Sequence, residues 1–175
     1  MILNLFRKTP APNAVNAVYR AIVAQSRQPI FYADWGVPDT VTGRFDMISL
    51  HLSLLFGRLR AEPQRGTPFG QAVLDLFFRD MDRSLREMGV GDMGVPKKVQ
   101  KMSSIFFALM TRVNEALEED DLATLESVLR RNVYGDDADA DPAPLAAYLQ
   151  RRRKQFAEIA VDEIIAGRLE TAEPV

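Results

Sequence analysis

Two long apolar stripes at helical spacing, joined by one glycine-rich connector, restrict what this chain can fold into more than any other feature. From Phe69 to Leu117 it reads FGQAVLDLFFRDMDRSLREMGVGDMGVPKKVQKMSSIFFALMTRVNEAL. In the first half Val73, Leu74, Phe77, Phe78, Met81, Leu85 and Met88 recur at intervals of three and four, so they share one face of a helix. In the second half Val95, Val99, Met102, Phe106, Leu109, Met110, Val113 and Leu117 do the same. Between them lies Gly89-Val90-Gly91-Asp92-Met93-Gly94-Val95-Pro96. Gly89 is where a left-handed C-cap is expected, because glycine has no Cβ to clash there. Pro96 suits the first turn of the next helix, where a missing N–H costs nothing. The expected product is a helical hairpin with two facing apolar stripes.

Around the hairpin the periodicity predicts further helices and no strands. Val15, Val18, Ile22 and Val23 predict a helix over 14–25 with Asn13 as N-cap. Ile30 to Trp35 is short and aromatic, and with no second strand to pair with it reads as a buried loop or helical turn. Thr42 is the expected cap of a helix over 43–60. Phe45, Ile48, Leu52, Leu55, Phe56 and Leu59 form its main stripe, with Met47, Leu50 and Leu54 on another side. A helix apolar on two sides is expected to sit centrally, the other reading being a partner's binding face. Ala61 to Gly66 reads as a polar turn. Asp120 or Asp121 caps a helix over 122–132. Tyr134 to Pro144 is an acidic loop expected to be mobile, and it lacks the closing glutamate of an EF-hand. A last helix runs over 145–166. Arg152 falls inside its stripe of Tyr148, Leu149, Phe156, Ile159 and Ala160, which predicts a carboxylate partner or a partner protein for that charge. The expectation is one all-α domain of five or six helices around a central hairpin, spanning 14–166, with flexible ends at 1–13 and 167–175.

Composition removes whole classes of chemistry. The 175 residues contain no cysteine and one histidine. Thiolate metal sites, cysteine nucleophiles and His-rich metal clusters are therefore excluded, and a Ser–His–Asp triad would have to use His51. A lone histidine on a helix reads as a partly buried residue with a satisfied hydrogen bond. Gly89-x-Gly91-x-x-Gly94 lacks the preceding strand of a dinucleotide site. Asp80 and Asp82 diverge on a helix, so they cannot form a paired acid–base couple. No stretch reaches the roughly 18 apolar residues of a membrane span, and Met1 to Lys8 has the reverse order of a signal peptide. The first residues are expected to fray, touch a membrane surface or dock on the domain.

Charge is unevenly spread. Residues 1–112 hold 15 Lys+Arg against 9 Asp+Glu, a net of +6, and residues 113–175 hold 7 against 15, a net of −8, which sum to the −2 of the whole chain. Lys97, Lys98, Lys101 and Arg112 fall within roughly 100° of one helix face, which is either a solvated surface or a contact for an anionic partner. The run DMDRSLREMGVGD (80–92) carries more charge than a hairpin needs.

At these residues the chain resembles the ubiquinol–cytochrome c chaperone family, the assembly factors of the cytochrome bc1 complex. The blocks that carry the resemblance are Gly36-Val37-Pro38-Asp39-Thr40 with Gly43-Arg44-Phe45-Asp46, the charged run, and Val95-Pro96-Lys97-Lys98-Val99-Gln100-Lys101-Met102. The resemblance implies a non-enzymatic chaperone that binds newly made cytochrome b, or another bc1 subunit, and hands it on for haem insertion. It is expected in the cytoplasm or peripherally at the inner membrane. Candidate partner-binding residues are Asp80, Asp82, Arg83, Arg86 and Glu87, with Lys97, Lys98, Lys101 and Arg112 facing the ribosome or an anionic membrane surface. The competing expectation is that the charges of 80–87 pair within the domain, for example with Arg44, Asp46 or the basic stripe. No cofactor, metal or DNA partner is expected. A haem- or small-molecule-handling protein using His51, Phe31, Tyr32 and Trp35, or a general helical interaction module, stands as the alternative.

Overall fold

The connector at Gly89 sets the architecture. The structure, a computed structural model, describes residues 10–135 and 137–169. The expectations for Met1 to Lys8 and for the last six residues lie outside the described residues. Gly89 has φ of 81°. Its N–H donates to the Arg86 carbonyl and that of Val90 to the Leu85 carbonyl, at 2.9 and 3.1 Å. This is the two-bond Schellman closure, in which a positive φ lets the chain turn back and satisfy the last carbonyls. The helix before it, α4 (Pro63–Glu87), and the helix after it, α5 (Val95–Glu118), form the expected hairpin.

The hairpin seam is aromatic. Phe77 and Phe78 lie against Phe106 with ring centroids 5.4 and 5.9 Å apart, in tilted and edge-on geometries that favour ring quadrupoles. Against both arms lies α3 (Val41–Leu59), which also packs on α1 (Pro12–Ser26) and α7 (Ala143–Glu158). Phe45, Met47, Leu50, Leu52, Leu54, Leu55 and Leu59 are all buried, so both of its apolar sides face protein. Central burial, rather than a partner, accounts for the second stripe. Ser49 and Ser53 are also buried, and their hydroxyls donate to the carbonyls of Phe45 and Ser49 at 2.8 Å, which satisfies them within the helix. Gly43 admits a close approach: a Cβ there would overlap the Pro38 carbonyl oxygen. The turn Gly36 to Thr40 can therefore fold onto the first turn of α3.

The remaining elements are α2 (Pro29–Ala33), α6 (Leu122–Asn132) and α8 (Val161–Ile165). Among the described residues there are six long helices, two five-residue ones and no strand. The Ile30 to Trp35 stretch is the helical turn α2, and Asp121 caps α6 by accepting from the Thr124 N–H at 3.0 Å.

Several boundaries differ from expectation. Helix α1 begins at Pro12 with Ala11 in the cap position, because proline at the first position outcompetes Asn13 as a start signal. Thr40, not Thr42, caps α3, its hydroxyl accepting from the Gly43 N–H at 3.1 Å. Helix α4 starts at Pro63, so most of the expected polar turn is helical and Pro68 lies inside the helix. The last helix stops at Glu158. Ile159 is extended, with ψ of 124°, and its freed carbonyl accepts from Arg58 Nε at 2.8 Å before α8 begins. In the acidic loop the Tyr134 hydroxyl donates to the Trp35 carbonyl at 3.0 Å, and Arg130 holds the carbonyls of Asp137 and Ala140.

Candidate partner-binding site

Two ends of the helical stack differ in chemistry. In the region built by α2, α3 and α7, a histidine, a tyrosine and a glutamine are buried and joined by hydrogen bonds. His51 is 1% exposed. Its Nδ1 lies 2.7 Å from the Met47 carbonyl oxygen and its Nε2 lies 2.8 Å from the Tyr148 hydroxyl. Burial lowers the His51 pKa to about 4, so the ring is neutral near pH 7. A carbonyl only accepts, so Nδ1 carries the hydrogen and Nε2 accepts from Tyr148. Gln25 Nε2 in turn donates to the Tyr148 oxygen at 3.1 Å. Phe31 closes this end, its ring edge-on to Trp35, His51 and Tyr148 at 5.3, 5.6 and 5.1 Å. Both His51 nitrogens are engaged, Phe31 and Trp35 pack against each other, and Tyr32, the third aromatic named for haem handling, donates its hydroxyl to the Ser26 carbonyl at 2.8 Å.

Arg152 shares this end and corrects an expectation. It is buried, as its stripe position required, but no carboxylate lies within ion-pair distance among the described residues. Its Nη1 donates to Gln155 Oε1 at 2.6 Å, and the guanidinium lies 5.2 Å from the Phe156 ring centroid. An amide dipole and a ring face offset the charge instead of a counter-ion. Asp46, also buried, makes no hydrogen bond or ion pair among the described residues. Burial raises its pKa to about 7.

Near the hairpin tip, charges are exposed and paired within α4 and its connector. Arg86 Nε donates to Asp82 at 2.7 Å and a second nitrogen bonds Asp92, while Arg83 bonds Glu87 at 3.0 Å. The pairs with Arg44, Asp46 or the basic stripe do not form: Arg44 bonds Asp39 at 2.7 Å instead. Intrahelical i,i+4 spacing explains this, since it needs no other element to be in place. Asp80 stands apart, half-buried on the inner side, accepting from the Tyr19 hydroxyl at 2.9 Å. Burial, then that bond, pushes the Tyr19 phenol well above its ordinary pKa. Lys97, Lys98, Lys101 and Arg112 are exposed on α5, with no ion pair among the described residues.

On the Asp80 side of α4 opens a groove of about 200 Å³, which Asp82, Arg83, Arg86 and Glu87 do not line. Arg44 and Phe45 line it from α3, Asp80, Met81 and Met88 from the end of α4, and Met102 from α5. Tyr19 and Arg27 reach it from α1 and its C-cap, and Val41 from the start of α3. Met88 and Val41 are 50% and 57% exposed. Three stretches far apart in sequence thus meet at one concavity: the GRFD turn, the charged run and the VPKKVQKM helix start. A larger cleft of about 500 Å³ lies on the other part of the hairpin, where Phe56, Leu74, Phe107 and Met110 form its apolar lining.

Residues 33–172 match the ubiquinol-cytochrome C chaperone family. The chain belongs to that family. Two curated relatives agree. The ubiquinol-cytochrome-c reductase complex assembly factor 1 of Xenopus laevis is 24% identical over 138 residues, covering 79% of this chain and 68% of that protein. The Mus musculus protein of the same name is 24% identical over 139 residues, and the match spans 46% of its length. A solved structure, the Cbp3 homolog from Brucella abortus, is 38% identical, with a TM-score of 0.85 over 99% of this chain and 98% of that one.

For this chaperone-family chain, sequence reasoning singled out the charged run and missed the groove that Asp80 lines. Met88 reads as core by its stripe, yet it sits at the C-cap of α4, past the cover of its neighbours. Tyr19, Arg27 and Val41 belong to other elements, and no spacing rule links them to residue 80 or 102. No group of three or more potential metal ligands comes together among the described residues.

Proposed function

We propose that this chain is a non-enzymatic assembly factor for the bc1 complex that binds newly made cytochrome b through the groove and charged flank at the hairpin tip. The family and the printed names of the relatives support the complex as the target. The convergence of three separate sequence blocks on one methionine-lined groove is the observation that carries the site. Methionine side chains adapt to irregular apolar surfaces, which suits a client that has not finished folding. Asp80 lines the groove, and Asp82, Arg83, Arg86 and Glu87 stand exposed on the other faces of the same helix, paired only with one another and with Asp92. They favour one orientation of the client and keep the unoccupied surface soluble. No helix among the described residues is long and apolar enough to cross a membrane.

The test is a photo-crosslinking amino acid at Met88, compared with one at Arg20 on α1, in cells making cytochrome b. An adduct between residue 88 and cytochrome b, absent from position 20, supports the reading. A strain lacking the gene but with normal bc1 content removes the function, and crosslinks only from position 20 remove the site.

A further inference from the structure

The exposed face of α5 combines charge and apolarity in a way that binding at the neighbouring groove does not use. From Val95 to Asn114 the helix contains no acidic residue and carries Lys97, Lys98, Lys101 and Arg112, all exposed. None of the four has an ion pair among the described residues. The carboxylates nearest the start of the helix are already committed: Asp82 and Asp92 to Arg86, and Glu87 to Arg83. By the helical period Ile105 lies at about 80° from Lys97, between Arg112 at about 60° and Lys98 at about 100°. Ile105 is 41% exposed, an apolar side chain standing inside the cationic stripe, and Met93 just before the helix is 91% exposed. A phosphate-only partner gains nothing from an isoleucine in the middle of its contact. A lipid interface does, because headgroup phosphates meet the cations while the apolar side chain enters the layer beneath.

We propose that this face of α5 docks the protein on an anionic membrane surface, with Lys97, Lys98, Lys101 and Arg112 against lipid phosphates and Ile105 as the shallow insertion. The surface holds the hairpin tip beside the bilayer, where a membrane-protein client emerges. The inference stands apart from the identity of that client.

Sedimentation of the full chain with vesicles tests it. Vesicles of about three parts phosphatidylcholine to one part phosphatidylglycerol should carry the protein down at about 0.1 M salt and release it at about 0.5 M, and phosphatidylcholine alone should not bind it. Each cation near such a surface is worth about fivefold in affinity, so Lys97→Ala/Lys101→Ala/Arg112→Ala should weaken binding roughly a hundredfold. Ile105→Ser should weaken it several-fold and leave the salt dependence in place. Arg20→Ala/Arg79→Ala/Lys154→Ala, the same charge change on other helices, should alter it by less than about threefold. Melting curves confirm that each variant is folded. Equal losses in the two triple variants, no dependence on phosphatidylglycerol, or a preference for oligouridylate over the vesicles would overturn the proposal.

Discussion

The end of the domain around His51 and the end around the hairpin tip spend their polar residues differently. Around His51, a histidine, a tyrosine and a glutamine are buried and joined into one directional set of hydrogen bonds. Each group there is positioned by packing from several helices, so a change should register as lost stability. At the tip, Asp82, Arg83, Arg86, Glu87 and Asp92 pair only along their own stretch of chain and stay in water. Surface pairs of that kind add little to stability. The comparison separates two meanings of a polar residue. One that the core holds, such as His51, is buried and positioned by packing and hydrogen bonds from several helices. One that the fold leaves exposed, paired only along its own stretch of chain, is free to serve a partner.

The comparison is sharpest at His51. His51→Ala should cost about 3 kcal/mol, because it opens a cavity and leaves the Tyr148 hydroxyl without its acceptor. Thermal or urea unfolding checks this, and a near-neutral result would dissolve the distinction between the two ends. Asp46 comes next, with the opposite sign. Its folded pKa of about 7 lies above the ordinary carboxylate value of 3.8. Its contribution is therefore most favourable below about pH 4 and is lost as pH rises towards 7. Asp46→Asn should raise stability at pH 8 by about 1–3 kcal/mol, with the gain vanishing in acid. His51 runs the other way: its folded pKa of about 4 lies below the ordinary imidazole value of 6.5. The stability it contributes is present above pH 6.5 and lost as pH falls towards 4. The two slopes oppose each other in wild type, so Asp46→Asn should make the melting temperature fall more steeply between pH 6.5 and 4. Smaller again is Gly89→Ala, which forces alanine into a left-handed conformation at an open site and should cost about 1 kcal/mol by equilibrium unfolding.

Much of the fold was legible because it is local. The hairpin, its glycine cap, the α6 cap at Asp121 and the two-sided burial of α3 all follow from spacing within one element. Arg152 was placed correctly inside its helix face, but its partners were not, since an amide one turn away and a neighbouring ring leave no mark that distinguishes them from a distant carboxylate. The break at Ile159 was invisible for a similar reason: no glycine or proline marks it, and Arg58 from α3 receives the freed carbonyl. At the site, the charged run was legible as an excess over what the hairpin requires. The groove was not, because Tyr19, Val41, Met88 and Met102 become neighbours only once four helices are assembled.

The central claim is that the charges at the hairpin tip serve a partner and not the fold. The most direct measurement sets thermal unfolding of Asp82→Ala/Arg86→Ala beside bc1 content in a strain carrying the same change. The account predicts an unchanged melting temperature and normal protein level, with weakened association with cytochrome b and reduced bc1 complex. Normal bc1 content at normal protein level, or a bc1 deficit explained by a lowered melting temperature and lost protein, would contradict it.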